Sequence, residues 1–404
     1  MKEHLFLNDI CFGRVSATIL DQHSGRGRLD KQGLLVALNI PGQEFGGSIL
    51  NTLIILLDGA ADDKIPEYGD RTPLASFEKP FMDMVASNGL IGWTEGRQYT
   101  HLYLLELLTG NRLDTPRGLV EAVGLGVPVE PKQVAYRFSP AYIYDSKVDW
   151  AYRVTPDLTE SLQASMVQHL DMLGDLNPRL YFYEDGRGVM TVDTEDVVPF
   201  PMPPTPVDNA SFPMHHFGEY IHKVASETDG LTVIPWGGGS LARLNGQRAI
   251  PEAKNMVMIS KSPSALGVGG LLNIRRDVVD NMWSGFQEAF RLLRSGNVFM
   301  HVEETDDISH RREPDQKVSM LKEVDDLLME NLDRLLGHRV ALVVDHGTSS
   351  LSGQHLPNKV PFAVSEVIEP SEPTVRFCEN EYRHVPLGEL LRTLLAYERS
   401  PDSV

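Results

Sequence analysis

Short unbroken apolar runs recur along the chain, and several of them end at acidic residues. Thr52-Leu-Ile-Ile-Leu-Leu57 runs into Asp58-Gly59, Val298-Phe-Met-His-Val302 into Glu303-Glu-Thr-Asp306, and Ala341-Leu-Val-Val344 into Asp345-His346. Runs that are apolar at successive positions, rather than alternate ones, predict strands buried on both faces. Met256 to Ser260 and Val360 to Val364 read as further strands, with a possible one at Leu34 to Leu38. Between them the period changes. Leu74 to Asn88 is helical in pattern but for Pro80, which breaks or restarts it. Leu102 to Leu108, Val278 to Arg294 and Leu387 to Tyr397 predict helices, as do Val318, Leu321, Val324, Leu328, Leu332 and Leu335, a series closed by Gly337.

From about 130 to 255 the texture differs. Val134-Ala-Tyr-Arg-Phe138 and Leu180-Tyr-Phe-Tyr183 predict strands, Leu158 to Leu173 a helix, and the proline-dense stretch 197–207 a crossing loop. Trp236-Gly-Gly-Gly-Ser240 is glycine-rich but lacks the Lys-Ser/Thr of a phosphate-binding loop. The expected organisation is an α/β fold. Residues 1–50 form an N-terminal extension, 51–115 with 255–404 the core domain, and 116–254 an inserted α+β substrate or cap domain.

Charge narrows the function. Fifty-six acidic residues against 37 Lys and Arg give a net charge of -19, which argues against nucleic acid or an anionic membrane as partner. An anionic small substrate stays open, because local cations override the global field. Cys11 and Cys378 are the only cysteines, so neither a disulfide framework nor a thiolate metal cluster is expected, and a cytoplasmic protein is the default. No apolar run is long enough to span a bilayer. An oligomer is compatible with the sequence.

The candidate chemistry lies at the strand ends. In open α/β sheets, function sits in the crevice beyond the carboxyl ends of the strands. Parallel strands would bring Asp58, Asp306 with His310, and Asp345-His346 with His355 to one edge. Asp306 and His310, four apart, share a face if they lie on a helical turn. Such a set of oxygen and nitrogen donors suffices for two divalent metal ions, manganese, zinc or magnesium, placed to clamp a phosphoryl displacement. No organic cofactor is expected. Gly96, just before the Leu102 helix, suits an exposed loop leading into a helix N-terminus, a natural anion site.

The order Asp58-Gly, Asp306-x3-His310, Asp345-His346, His355 resembles the alkaline phosphatase superfamily, and more closely the archaeal-type cofactor-independent phosphoglycerate mutases. The resemblance extends over Asp58 to Leu74, Thr100-His-Leu102, Arg117 to Val127, Thr305-Asp306, Asp345-His-Gly-Thr348, His355 and Val360-Pro361. It implies an alkaline-phosphatase-like mixed sheet flanked by helices. It assigns Asp306, His310 and His355 to one metal and Asp58, Asp345 and His346 to the other, with His101 and Arg117 binding a small phosphorylated substrate. Interconversion of 2- and 3-phosphoglycerate is the activity it implies.

The sequence departs from that pattern at the nucleophile. Where the family has Gly-Ser-Asp-x-x-His, this chain has Gly96-Arg-Gln-Tyr-Thr-His101. Arg97 stands at the serine's position, and a guanidinium does not attack phosphorus. The family's Lys-Gly is absent from Ser264 to Gly270, and its Gly-Ala-Thr-Gly loop from Asn273 to Asp280. Four outcomes follow. Thr94 or Thr100 substitutes for the serine; a metal-bound hydroxide makes the protein a phosphomonoester hydrolase, with Arg97 gripping the phosphate; the site performs other metal-assisted chemistry; or the chain is a non-catalytic metal-binding homologue. Arg97 alternatively fills the space by pairing with an acidic neighbour.

Overall fold

The computed structural model describes residues 50–398, apart from 145–146, 201, 204–215, 245–246, 357–358, 368–371 and 380–381. The N-terminal extension up to residue 49, with its possible strand at Leu34 to Leu38, and residues 201 and 204–207 of the proline-dense stretch lie outside the described residues.

The acid-terminated apolar runs form the centre of an eight-stranded mixed sheet. Thr52–Leu57 lies between Val298–Val302 and Arg339–Val344, parallel to both. Every residue of the three strands is buried, so no polar alternation is needed on either face. The sheet continues in parallel through Val257–Ser260 to Arg275–Val278. On the other side Lys359–Glu366 runs antiparallel to both Arg339–Val344 and Leu90–Glu95, and Arg383–His384, parallel to Leu90–Glu95, forms the edge. The register sets Leu57 beside both Val302 and Val344. Asp58, Glu303 and Asp345 therefore leave the sheet at one level.

Three strands of this sheet are not anticipated by the hydropathy pattern, the shortest being Arg383–His384. Leu90–Glu95 contains Gly92, whose missing Cβ lets Phe362 and Arg383 approach, and Arg275–Val278 is charged and mostly exposed at the other edge. The helix expected from Val278 starts instead at Met282, where Asn281 and Ser284 form a reciprocal cap. Pro80 does restart a helix: Pro73–Ser76 ends and Pro80–Asn88 begins. The carboxylate of the buried Asp325 accepts from the backbone N–H of Phe81 and Met82 at that new N-terminus.

A second sheet, five-stranded and antiparallel, uses Gln133–Tyr144 as its spine, with Lys147–Trp150, Gly188–Asp193 and Leu231–Gly239 paired to it and Arg179–Phe182 beyond. It has its own apolar cluster, which includes Tyr136, Phe138, Leu162, Phe217 and Trp236. Trp236 to Gly239 is strand, not a phosphate cradle. A Cβ at Gly238 would fall 2.3 Å from Tyr136, so these glycines serve close packing. The helix expected over Leu158 to Leu173 ends at Gln168, and a 3-10 turn interrupted at Gly174 follows.

One buried cation fastens the two loops that leave the central strands. Lys317 Nζ, fully enclosed, donates to the carbonyls of Gly59 (2.9 Å), Ala61 (3.3 Å) and Thr348 (3.0 Å) and to Asp62 Oδ2 (2.8 Å). Asp62 in turn accepts from Ser350 N. Replacing Lys317 by Met leaves a carboxylate buried without its partner, which costs about 3–5 kcal/mol. The expected result is a matching loss in denaturant-unfolding free energy for Lys317→Met. Lys322→Ala, which breaks only the exposed pair with Asp326, leaves the unfolding midpoint unchanged.

Candidate functional site

Asp58, Asp345 and His346 follow directly on two adjoining parallel strands. Asp306 and His310 belong to the helix Glu304–His310, which starts just after the third. Their spacing places Asp306 Oδ2 3.2 Å from His310 Nε2. His355 arrives on a two-residue hairpin arm paired with Gly347–Thr348. Its Nε2 lies 3.1 Å from His310 Nε2 and 3.9 Å from Asp306 Oδ1. Asp58, Asp345 and His346 offer ligand atoms within 4.8 Å of one another, and so do Asp306, His346 and His355. The six side chains singled out in the sequence are thus brought together, with His346 between the two groups. Gly59 makes the closeness possible: it has φ +63°, and a Cβ there would sit 2.5 Å from Asp306 Oδ1.

The hydrogen bonds orient the imidazoles. His310 Nδ1 is 2.8 Å from the Gly353 carbonyl and carries a proton toward it, which turns Nε2 to Asp306 and His355. Thr348 Oγ1 donates to Asp306 Oδ1 (2.6 Å) and lies 3.1 Å from His346 Nδ1, which then donates to it. His346 Nε2 consequently turns its lone pair toward Asp58 Oδ1 and Asp345 Oδ2, each 3.3 Å away. Burial, reinforced by Asp345 and Asp306, pushes the Asp58 carboxyl well above the usual carboxylate range. Asp345 Oδ2 is buried without a hydrogen-bond partner. Burial and His346 push the His355 imidazole well below its ordinary range, and its Nδ1 has no hydrogen-bond partner. Buried carboxylates short of countercharge, faced by imidazole Nε2 atoms, fit divalent cations with mixed oxygen and nitrogen donors.

Thr100 opens the helix Thr100–Thr109. Its hydroxyl lies 3.1–3.2 Å from both carboxylate oxygens of Asp58 and 3.4 Å from His346 Nε2. Arg97 differs from the expectation that it grips the phosphate: its guanidinium is held by Glu106, while its backbone N–H donates to the Asp345 carbonyl. The reason is local, since an acidic side chain on the next helix neutralises it within the fold. Thr94 is buried against Glu95 and does not line the cavity. His101, expected to bind substrate, is also turned away: its Nε2 is bonded to the Thr115 carbonyl at 3.0 Å, and it is outside the cavity wall.

A cavity of about 90 Å³ opens in front of Asp58, Thr100, Asp306, His310, His346 and His355. Its far wall comes from the second sheet and its flanks, and it includes Arg117, Arg137 and Arg187. Arg117 Nε and Arg137 both donate to Glu121 Oε1 at 2.7 Å, and Tyr183 donates to Glu121 Oε2. Two guanidinium groups on one carboxylate leave a positive surplus. Arg187 pairs with Asp307 at 3.1 Å. Tyr152 stacks on His310 with ring centroids 4.4 Å apart. Arg137, Arg187 and Tyr152 escape a reading of the sequence, although a charge inside the run Val134 to Phe138 is a usable signal. Glu303 escapes it too: it lines the cavity, Oε2 has no partner, and burial, with Asp307 next, pushes its carboxyl up to about 7.

The Metalloenzyme superfamily profile matches residues 276–384, which carry Asp306, His310, Asp345, His346 and His355. The chain is 23% identical over 379 residues to the 2,3-bisphosphoglycerate-independent phosphoglycerate mutase of Picrophilus torridus, covering 83% of this chain and 93% of that protein. It is 24% identical over 367 residues to the enzyme of the same name from Pyrobaculum islandicum, covering 76% and 86%. The solved structure of the PH0037 protein from Pyrococcus horikoshii shares the fold: TM-score 0.62, 17% identity, with 86% of this chain and 96% of that one covered. Residues 276–384 thus match the Metalloenzyme superfamily, and most of the chain is similar, at low identity, to 2,3-bisphosphoglycerate-independent phosphoglycerate mutases.

Proposed function

We propose that this protein is a two-cation phosphoryl-transfer enzyme for a small phosphorylated, anionic metabolite, and that the Thr100 hydroxyl accepts the phosphoryl group. The observation that carries the proposal is the hydroxyl itself, held against Asp58 and His346 at the cavity wall. Asp58, Asp345 and His346 would hold one divalent ion, and Asp306, His310 and His355 the other, with His346 near enough to serve either group. Bound there, the ions supply the positive charge that stabilises an in-line displacement at phosphorus.

The remaining work falls to the chain. Thr100 donates its hydrogen to Asp58, which leaves an oxygen lone pair free to face the cavity. Arg117 and Arg137, fixed by Glu121, hold the non-reacting anionic end of the substrate, and Arg187 adds a third guanidinium. Return of the phosphoryl group from Thr100 to a neighbouring hydroxyl of the same molecule is mutase chemistry, and its passage to water is hydrolysis. The phosphoglycerates are the first substrates to try, because the relatives are named for them. Net charge and the paucity of cysteine fit a cytoplasmic enzyme acting on its own or as an oligomer.

The experiment supplies purified protein with manganese or zinc and follows both isomerisation of 3-phosphoglycerate and phosphate release from a panel of phosphomonoesters. Turnover with a phosphoryl group on Thr100, seen by mass spectrometry of the quenched enzyme, is the expected outcome. Metal uptake without turnover of any substrate contradicts it. Thr100→Ala is expected to lower kcat by on the order of 10³-fold or more with metal content intact, and Thr100→Ser to keep activity. Full activity in Thr100→Ala instead transfers the attack to water. Arg137→Ala is expected to raise KM roughly 10- to 100-fold with a smaller change in kcat, the loss of one charge-assisted hydrogen bond to substrate. His346→Ala is expected to lower the occupancy of both metal groups, and Asp345→Ala that of one, as read by elemental analysis after dialysis.

A further inference from the structure

The wall behind Asp58 contains an imidazole that phosphoryl transfer leaves unused. His301 lies within the all-buried strand Val298–Val302, where an apolar side chain would pack at lower desolvation cost. Both its ring nitrogens have partners: Nε2 is 2.9 Å from Asp58 Oδ2, and Nδ1 is 2.9 Å from Ser260 Oγ. Ser260 Oγ accepts from the backbone N–H of Ser262 at 2.9 Å. The carboxylate of Asp58 is an acceptor, so Nε2 carries the imidazole proton and directs it at Oδ2; Nδ1 then accepts the Ser260 hydroxyl hydrogen. The chain of donors runs from Ser260 through His301 to the carboxylate, and the Ser262 amide holds the Ser260 oxygen in place.

We propose that His301 is a positioning residue for Asp58: through the Ser262–Ser260–His301 relay it pins Oδ2 of the carboxylate so that Oδ1 is presented toward His346 and the cation held there. The inference rests on the proposal that Asp58 is a cation ligand. The other constraints on Asp58 are consistent with it. Its backbone N–H donates to Val302, and Thr305 donates to its carbonyl, so the main chain is fixed and only the carboxylate torsion is left to set. Thr100 lies nearly equidistant from the two oxygens, 3.2 and 3.1 Å, and does not discriminate between them. His301 does. The supporting hydrogen bonds of metal ligands typically govern affinity by 10- to 100-fold.

The test is a cobalt(II) titration of the metal-free full-length protein, followed by its visible absorption, with Asp345→Asn as the reference for the Asp306 group alone. A glutamine amide reaches the position of Nε2 and an asparagine amide that of Nδ1. His301→Gln is expected to bind cobalt at the Asp58 group within about 3-fold of the wild type. His301→Asn is expected to weaken that group by about 10- to 100-fold and to leave the Asp306 group unchanged. Equal affinities for all three, or equal losses in His301→Gln and His301→Asn with equal apo melting temperatures, overturn the positioning role. Should His301→Asn not fold, Ser260→Ala decides the matter, because it frees the tautomer without emptying the site. A weakened Asp58 group with a shifted absorption band upholds the role, and wild-type binding with an unshifted band overturns it. A wild type that takes up no cobalt overturns the two-cation proposal, a result distinct from any of these.

Discussion

Carboxylates packed against one another in a buried place repel, and here the repulsion is built in. Asp58 and Asp345 leave neighbouring strands at the same level, and Asp306 stands one helical turn further on. Burial denies them solvent, and His346, His310 and His355 face them through Nε2. That unbalanced electrostatics is the constraint the rest of the structure serves. The parallel register fixes the level of the strand ends. Gly59 lets Asp306 come close, and Thr348 joins Asp306 to His346 by one hydroxyl. Lys317 ties the two ligand-bearing loops together from below without entering the site, spending its charge on Asp62 and three carbonyls.

The opposite wall solves the complementary problem. Guanidinium groups in a cavity also need balance, and Glu121 and Asp307 supply it only in part. The surplus on these guanidinium groups is what the proposed anionic substrate would complete. The two sheets thus divide the work, one concentrating acids and imidazoles at its strand ends and the other presenting arginines to them. In a chain of net charge -19 Arg117, Arg137 and Arg187, together with cations held by the facing acidic cluster, would be what draws in the phosphorylated molecule proposed above.

Much of this was legible in the sequence because parallel, doubly buried strands leave a strong signature: an apolar run with an acid at its end. Asp58, Asp306, Asp345 and their histidines could be found that way, and the structure gathers them. Orientation was not legible. Arg97 and Thr100 lie three residues apart at one helix start, and nothing in spacing alone says which of them faces Asp58. Glu106, which holds the Arg97 guanidinium, decides it. His101 is likewise bound to a carbonyl that only the folded chain brings near. Arg137 and His301 were hidden inside runs that read as core, since hydropathy records that a segment is buried and not that one polar member of it reaches a site. Edge strands such as Arg275–Val278 carry too few apolar residues to register at all.

The most direct test of the central claim is anomalous diffraction from crystals of the full-length protein grown with manganese or zinc. Two peaks roughly 3.5–4 Å apart are expected, one among Asp58, Asp345 and His346 and one among Asp306, His310 and His355. Crystals soaked in saturating metal that show no peak there, or peaks only at surface carboxylates, would contradict that claim.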